Sequence, residues 1–430
     1  MIERQTKRRI VTSAKFIMPS NNDDYNSDEL EAPTWLNEEF FQEVLLDHLK
    51  EPKLTVTAAK ISPASVKGDH YASVMFRANV EYSTEKRKCS KSLIIKTMPE
   101  VDGHKKELVG ESKIFQTEIE MYTEVFPKFE AILRAAGEET KFCATCVYYS
   151  MQPRQIMIFE DLLPLGYEVI RNRNATLDEL RAVLAKLAKW HAVSFKLLKE
   201  QPEIFDKLQY DVTTIPNLFE LEVITSGLPN FINMISQEDS LKTYRKYFEP
   251  MRENILSRWR DVIREYRQNR QANAYYVLCH GDFHIRNIMF KDHDCMLIDF
   301  QMSSVGSIAN DLQYAKYMLL SSDDRRDRWD ELLYHYFDTF TRTLSKIGYE
   351  GHMPNLVELR QQIFDRRSTD YCLLTTFLPV SYSMRKGKDP NELMNNEKRR
   401  LELYQDKDYK QELKYLLPQM LHLGYFEPPK

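Results

Sequence analysis

Between residues 54 and 159 the apolar positions gather in short β-prone runs, at 54–61, 72–82, 92–97, 142–149 and 155–159, whereas beyond residue 161 they recur at helical spacing. The first pattern predicts strands, the second a mainly helical remainder. One helix, 112–125 with Ser112 as its cap, interrupts the strands. Ahead of them Pro33 closes a polar tail. Asn37 then caps a helix with Glu38 and Glu39 in its first turn, where acids complement the helix dipole, and a stripe of Phe40, Phe41, Val44, Leu45 and Leu49 to dock on the strands.

In the second half Thr176-Leu177-Asp178-Glu179 forms a capping box, followed by the stripe Leu180, Val183, Leu184, Leu187, Ala188, His191, Phe195 and Leu198. His191 on such a stripe reads as a core histidine held by hydrogen bonds, in preference to a ligand or base. Helical signals recur at 254–270, 326–344, 355–363 and near the end. The mixed-sign run 323–331 reads as a solvated helix start, and the aromatic stretches around Tyr314, Tyr317, Tyr334, Tyr336, Phe337 and Phe340 as helix core.

A chain of 430 residues is long for one core, which favours two lobes. It is 43% hydrophobic and 29% charged with a formal charge of −4, so it can bury sizeable cores and gives no global reason to expect nucleic acid as a partner. A small neutral or weakly charged substrate fits better. The six cysteines do not form a disulfide pattern; Cys143 and Cys146 fall in an apolar run and read as packing, which points to a reducing, cytoplasmic compartment. No run of about twenty apolar residues is present to span a membrane. The first twenty residues lack a secretory core, and Lys7, Arg8 and Arg9 leave a transit peptide as the lesser reading beside an unstructured, dispensable tail.

The chemistry sits in Cys279-His280-Gly281-Asp282-Phe283-His284-Ile285-Arg286-Asn287 and its echo Ile298-Asp299-Phe300-Gln301. Apolar runs 275–279 and 288–290 hold the polar tract as a loop of fixed shape. That loop presents Asp282, able to accept a proton, and Asn287, an amide oxygen for a hard cation; the run 295–298 delivers Asp299, a second oxygen donor. A base, an amide and a carboxylate in this order are the phosphoryl-transfer set of kinases. Lys96 ends the apolar run 93–96, where its ammonium must reach an anion or water.

These motifs, with Gly306, Asp311-Leu312, Trp35-Leu36 and Phe159-Glu160-Asp161-Leu162, resemble the insect ecdysteroid-kinase-like (CHK kinase-like) family, within the aminoglycoside and choline kinase branch of the protein-kinase-like fold. The resemblance spans about residues 35–425. It implies an α+β, two-lobed fold: a disordered tail 1–34, a β-rich nucleotide-binding lobe with its leading helix at 35–160, and a mainly helical catalytic and acceptor-binding lobe at 161–430. It implies ATP and Mg²⁺ as cofactors. Lys96 would take the α and β phosphates, paired with Glu118 from Phe115-x-x-Glu118-x-x-x-Tyr122, Glu120 being the reserve. Ser73, after the single-glycine turn 67–72, would touch the phosphates, and the backbones of Glu160 and Leu162 the adenine. Asp282 would be the catalytic base, His280 a brace, Asn287 and Asp299 the metal ligands, and Asp311 a structural tie. His284 stands where many relatives have Trp. The acceptor would be a steroid such as an ecdysteroid or a xenobiotic alcohol, bound by a monomer between helices at about 202–273 and after 324. The alternatives are a choline or amino-sugar kinase and a non-catalytic nucleotide-binding relative.

Overall fold

The computed structural model describes residues 31–64, 73–98, 113–388 and 392–427. Most of the tail, the turn 67–72 and the nominated cap Ser112 lie outside them. Helix α1 (Glu38–Leu49) starts as its sequence dictates, with the Asn37 side chain accepting from Phe40 N at 3.0 Å. Its buried Phe41, Val44 and Leu45 cover an antiparallel sheet of order β1-β2-β3-β5-β4: Thr55–Pro63, Val74–Ser83, Lys88–Thr97, Ile156–Glu160 and Cys146–Ser150. β3 lies in the middle, and Lys96 pairs with Met75 on one side and Met157 on the other. Residues 142–145, expected as strand, instead run irregularly with Phe142, Cys143 and Ala144 buried, and Phe142 O accepts from Leu297 N. Cys143 and Cys146 are free and pack as expected.

The helix expected at 112–125 runs further. α2 (Ile114–Glu120) passes through a π-helical turn, Met121–Val125, into α3 (Phe126–Ala135). The helix carries on through Pro127 because the π-helical turn before it, with Phe126 N bonded to Met121 O, takes up the hydrogen bond that proline cannot make.

Beyond the sheet, α4 (Leu177–Glu200) carries the full capping box, Thr176 with Glu179. It packs on β7 (Tyr276–Cys279) and β9 (Asp294–Leu297). β7 pairs with β10 (Ser304–Ser307); β9 pairs with β8 (Ile288–Lys291), which pairs with β6 (Glu168–Val169). Then come α5 (Gly227–Gln237), α6 (Ile255–Gln268), α7 (Ile308–Met318), α8 (Trp329–Lys346), α9 (Leu356–Asp365), α10 (Leu378–Arg385) and α11 (Lys407–His422). The fold is α+β and two-lobed, a small sheet lobe on a larger helical one. One core runs from α2 and α3 through α4 and β7–β9 to α8, and a second joins α5, α6 and α11.

Two expectations fail, each at one residue: the solvated run at Arg325 and the aromatic core at Tyr334. Arg325, within the mixed-sign run, is 1% exposed: its Nε meets Glu412 Oε1 at 2.6 Å and its Nη1 meets Tyr317 O at 3.0 Å. α11 arrives from the chain end to bury it, a contact no local charge pattern foretells. Tyr334 is exposed while Tyr336 and Phe340 are buried, as helical phase requires.

Candidate active site between the lobes

Gly281 sets the shape of the loop between β7 and β8. Its φ is +82°, and a Cβ there would meet Met302 O at 2.3 Å, so only glycine fits. Asp311 on α7 then clamps the turn, its Oδ2 accepting from His280 N at 2.7 Å and its Oδ1 from Gly281 N at 3.0 Å. His191 Nε2 donates to the same carboxylate at 3.1 Å while its Nδ1 accepts from the Tyr336 hydroxyl. His191 is thus a core histidine tied to the loop. Burial would push Asp311 up, but the hydrogen bonds from His191 and from the His280 backbone hold it down.

His280 is buried, donating from Nε2 to Ile298 O at 3.2 Å and accepting from Asp282 N at 3.4 Å. Burial lowers its pKa, in keeping with a neutral ring that links the loop to the run before Asp299. Phe300 packs 4.6 Å from Phe126 and 5.2 Å from Tyr122, which fixes the Asp-Phe pair against the π-helical turn.

Asp282 is held on both oxygens. Oδ2 accepts from Asn287 Nδ2 at 3.1 Å and lies 3.4 Å from His284 Nε2, and Oδ1 accepts from the Tyr314 hydroxyl at 2.8 Å. Burial would raise its pKa, yet His284 and Tyr314 bring it well below the usual carboxylate range. His284, whose Nδ1 accepts from Arg286 N, is raised in turn by Asp282 against its own burial. Tyr314 belongs to no nominated motif. Its only signal is position, three residues after Asp311 on the same face of α7.

Across the cleft Lys96 Nζ lies 2.6 Å from Glu118 Oε2 and 2.8 Å from Asp299 Oδ1. Lys96 is raised despite burial because these two carboxylates surround it, and burial pushes Glu118 up. The reserve Glu120 points elsewhere, 3.6 Å from Lys207. Ser73, Lys96, Glu118, Glu160, Leu162, Asp282, Asn287 and Asp299 all line one cavity of about 230 Å³.

The donor set at its floor suits Mg²⁺. Asn287 spends its Nδ2 on the Asp282 carbonyl and carboxylate, which turns its Oδ1 the other way, and Asp299 uses Oδ1 on Lys96. An amide oxygen and a carboxylate oxygen remain, hard donors that leave room for phosphate oxygens. Where the lobes join, Asp161 takes Arg77 Nε and Ser92 Oγ, each at 2.7 Å, a brace the sequence did not reveal. Leu162 gives its carbonyl to Leu165 and Tyr167 N–H, so its own N–H is what it can offer a ligand.

A second cavity, of about 420 Å³, meets the first at Asp282, His284, Arg286 and Gln301. Its walls are mainly apolar, among them Ile215, Leu221, Trp259, Phe377 and Val380. They come from 211–263 and 376–394, close to the stretches expected to bind the acceptor. The charges on its wall are four arginines, Arg171, Arg173, Arg286 and Arg385, and three aspartates. Of the aspartates, Asp311 is taken up by the loop and Asp211 by Arg267 and Thr213, which leaves Asp282.

A model of the ecdysteroid kinase-like family matches residues 67–349. Among solved structures the chain is similar to a choline kinase from Cryptosporidium parvum, with 14% identity over 90% of this chain and 99% of that one and a TM-score of 0.44. An ethanolamine kinase from Plasmodium vivax has 14% identity over 87% and 89%, at 0.37. An aminoglycoside phosphotransferase from Streptomyces rimosus has 12% over 78% and 98%, at 0.31. No curated protein matches the sequence.

Proposed function

The chain belongs to the ecdysteroid kinase-like family, and from that premise we propose that it transfers the γ-phosphate of ATP to a hydroxyl of an apolar small molecule, an ecdysteroid or a xenobiotic alcohol. Residues 35–160 serve the nucleotide and 161–430 the catalysis and the acceptor. The observation that carries the reading is the apolar cavity opening onto Asp282 beside the cleft that holds Lys96, Asn287 and Asp299.

In this reading Lys96, oriented by Glu118, binds the α and β phosphates; Ser73 touches them, and the Glu160 and Leu162 backbones hold adenine. Asn287 and Asp299 hold Mg²⁺, which would neutralise charge on the phosphates. Asp282 orients the acceptor hydroxyl. As the new O–P bond forms and the bond from γ-phosphorus to the bridging oxygen breaks, the hydroxyl proton passes to Asp282. His280 and Asp311 hold the loop in that geometry.

A choline or amino-sugar acceptor fits less well. A cation would meet four arginines, of which Arg173 is paired with Glu179, while each of the three aspartates on the wall is already hydrogen-bonded. A non-catalytic role is disfavoured because Lys96, Asp282, Asn287 and Asp299 are brought to one cavity. The same proposal makes the protein a cytoplasmic monomer, with six free cysteines in support.

The test is transfer from γ-labelled ATP, with and without Mg²⁺, to ecdysteroids, plant phenolics and choline analogues, with Asp282→Ala alongside. Mg²⁺-dependent labelling of an apolar alcohol that the variant abolishes supports the reading. Labelling of choline analogues alone, or of nothing while ATP is bound, overturns it.

A further inference from the structure

Arg385 closes α10 on the wall of the acceptor cavity and does not line the nucleotide cavity. Its Nη2 donates to Leu320 O at 2.9 Å, and among the described residues no carboxylate forms an ion pair with it. The acids nearest in its field are engaged elsewhere. Glu412 is held by Arg325 Nε at 2.6 Å and by the Tyr382 hydroxyl, and Asp324 accepts from the Ser321 hydroxyl at 2.5 Å and lies 3.6 Å from Arg328. Burial and the neighbouring charge of Arg325 push the guanidinium down to about 10.

A structural role accounts for part of this. A cation is favourable at a helix C-terminus, and Leu320 O takes one N–H. Neither supplies a full counter-charge, and a half-buried guanidinium on a cavity wall still costs free energy where its donors and its charge are not met. Arginine's fork of donors suits an oxyanion. Among the cavity's charged groups, Arg385 is thus an arginine with no ion pair among the described residues, set on a largely apolar wall that also reaches Asp282.

Resting on the kinase reading above, we propose that Arg385 binds a carboxylate of the acceptor, so that apolar hydroxy acids are among the substrates, phosphorylated on the hydroxyl and anchored by the acid group. The apolar body lies along Trp259 and Phe377, and the hydroxyl reaches Asp282.

The experiment measures binding, without ATP, of lithocholic acid and ω-hydroxylauric acid, each against its methyl ester, by calorimetry on the full chain. Wild type should hold each acid about tenfold or more tighter than its ester, the order of a charge-assisted contact. Arg385→Gln should bring that ratio to near one, and Arg385→Lys should restore part of it. Equal binding of acid and ester by wild type, or a preference that survives in Arg385→Gln, overturns the proposal. Should the glutamine variant misfold, as lost ATP binding would reveal, the wild-type ratio still decides. Because no turnover is needed, absent phosphoryl transfer would sink the kinase reading separately.

Discussion

Replacing Lys96 by methionine separates what the buried ion pair does for stability from what it does for chemistry. Lys96 and Glu118 are 4% and 2% exposed, and their charged atoms lie 2.6 Å apart. Methionine fills most of the volume, so little cavity is created. What remains is a buried carboxylate without its cation, beside Asp299, whose side chain is 25% exposed and carries a smaller share of the cost. Removing one partner of a buried pair costs about 3–5 kcal/mol, whereas replacing both by apolar groups is often near neutral. Lys96→Met should therefore lose about that amount, and Lys96→Met combined with Glu118→Met should regain most of it. Urea unfolding followed by far-UV circular dichroism measures both. Transfer activity should be lost in each, because both lack the lysine proposed to bind the phosphates. A single variant within about 0.5 kcal/mol of wild type, or a double variant less stable than the single, would refute the reasoning.

Tyr314→Phe removes one hydrogen bond to the base. Such a bond to a charged group is worth about 1.5–3 kcal/mol, so the fold should lose up to that much stability in urea unfolding, and the Asp282 pKa should rise, as its titration would show. Gly281→Ala forces a side chain into the left-handed region at about 1–2 kcal/mol and against Met302 O besides; lower thermal stability and lost transfer are expected. Glu138, bound to Lys189 at 2.8 Å and to Lys346, is depressed to about 2 by those hydrogen bonds. A depressed carboxylate stabilises the fold above its unfolded pKa of about 4.3 and ceases to as pH falls through the folded value. The stability gap between wild type and Glu138→Gln should accordingly be full at pH 6 and shrink from about pH 5 toward 2 in denaturation midpoints.

Local signals carried a good part of this structure. Asn37 and Thr176 with Glu179 start their helices where side-chain oxygens meet the first free N–H groups. The loop from His280 to Asn287 is legible because two buried strands fix its ends, and Asp299 because a third strand ends just before it. Positions that combine distant segments were not legible. The helix through Pro127 depends on a π-helical turn packed under Phe300, and Arg325 is buried by a helix from the far end of the chain.

By itself the sequence determined the strand-then-helix order, the caps and the loop that carries Asp282 and Asn287 with Asp299 after it, because each depends on neighbours a few positions away. Tertiary structure alone decided that Lys96 meets Glu118 and not Glu120, that Tyr314 rests on the base, and that 211–263 and 376–394 enclose an apolar cavity with Arg385 on its wall. Those contacts join segments far apart along the chain, and hydrophobic spacing records that a side chain is buried without recording what it is buried against.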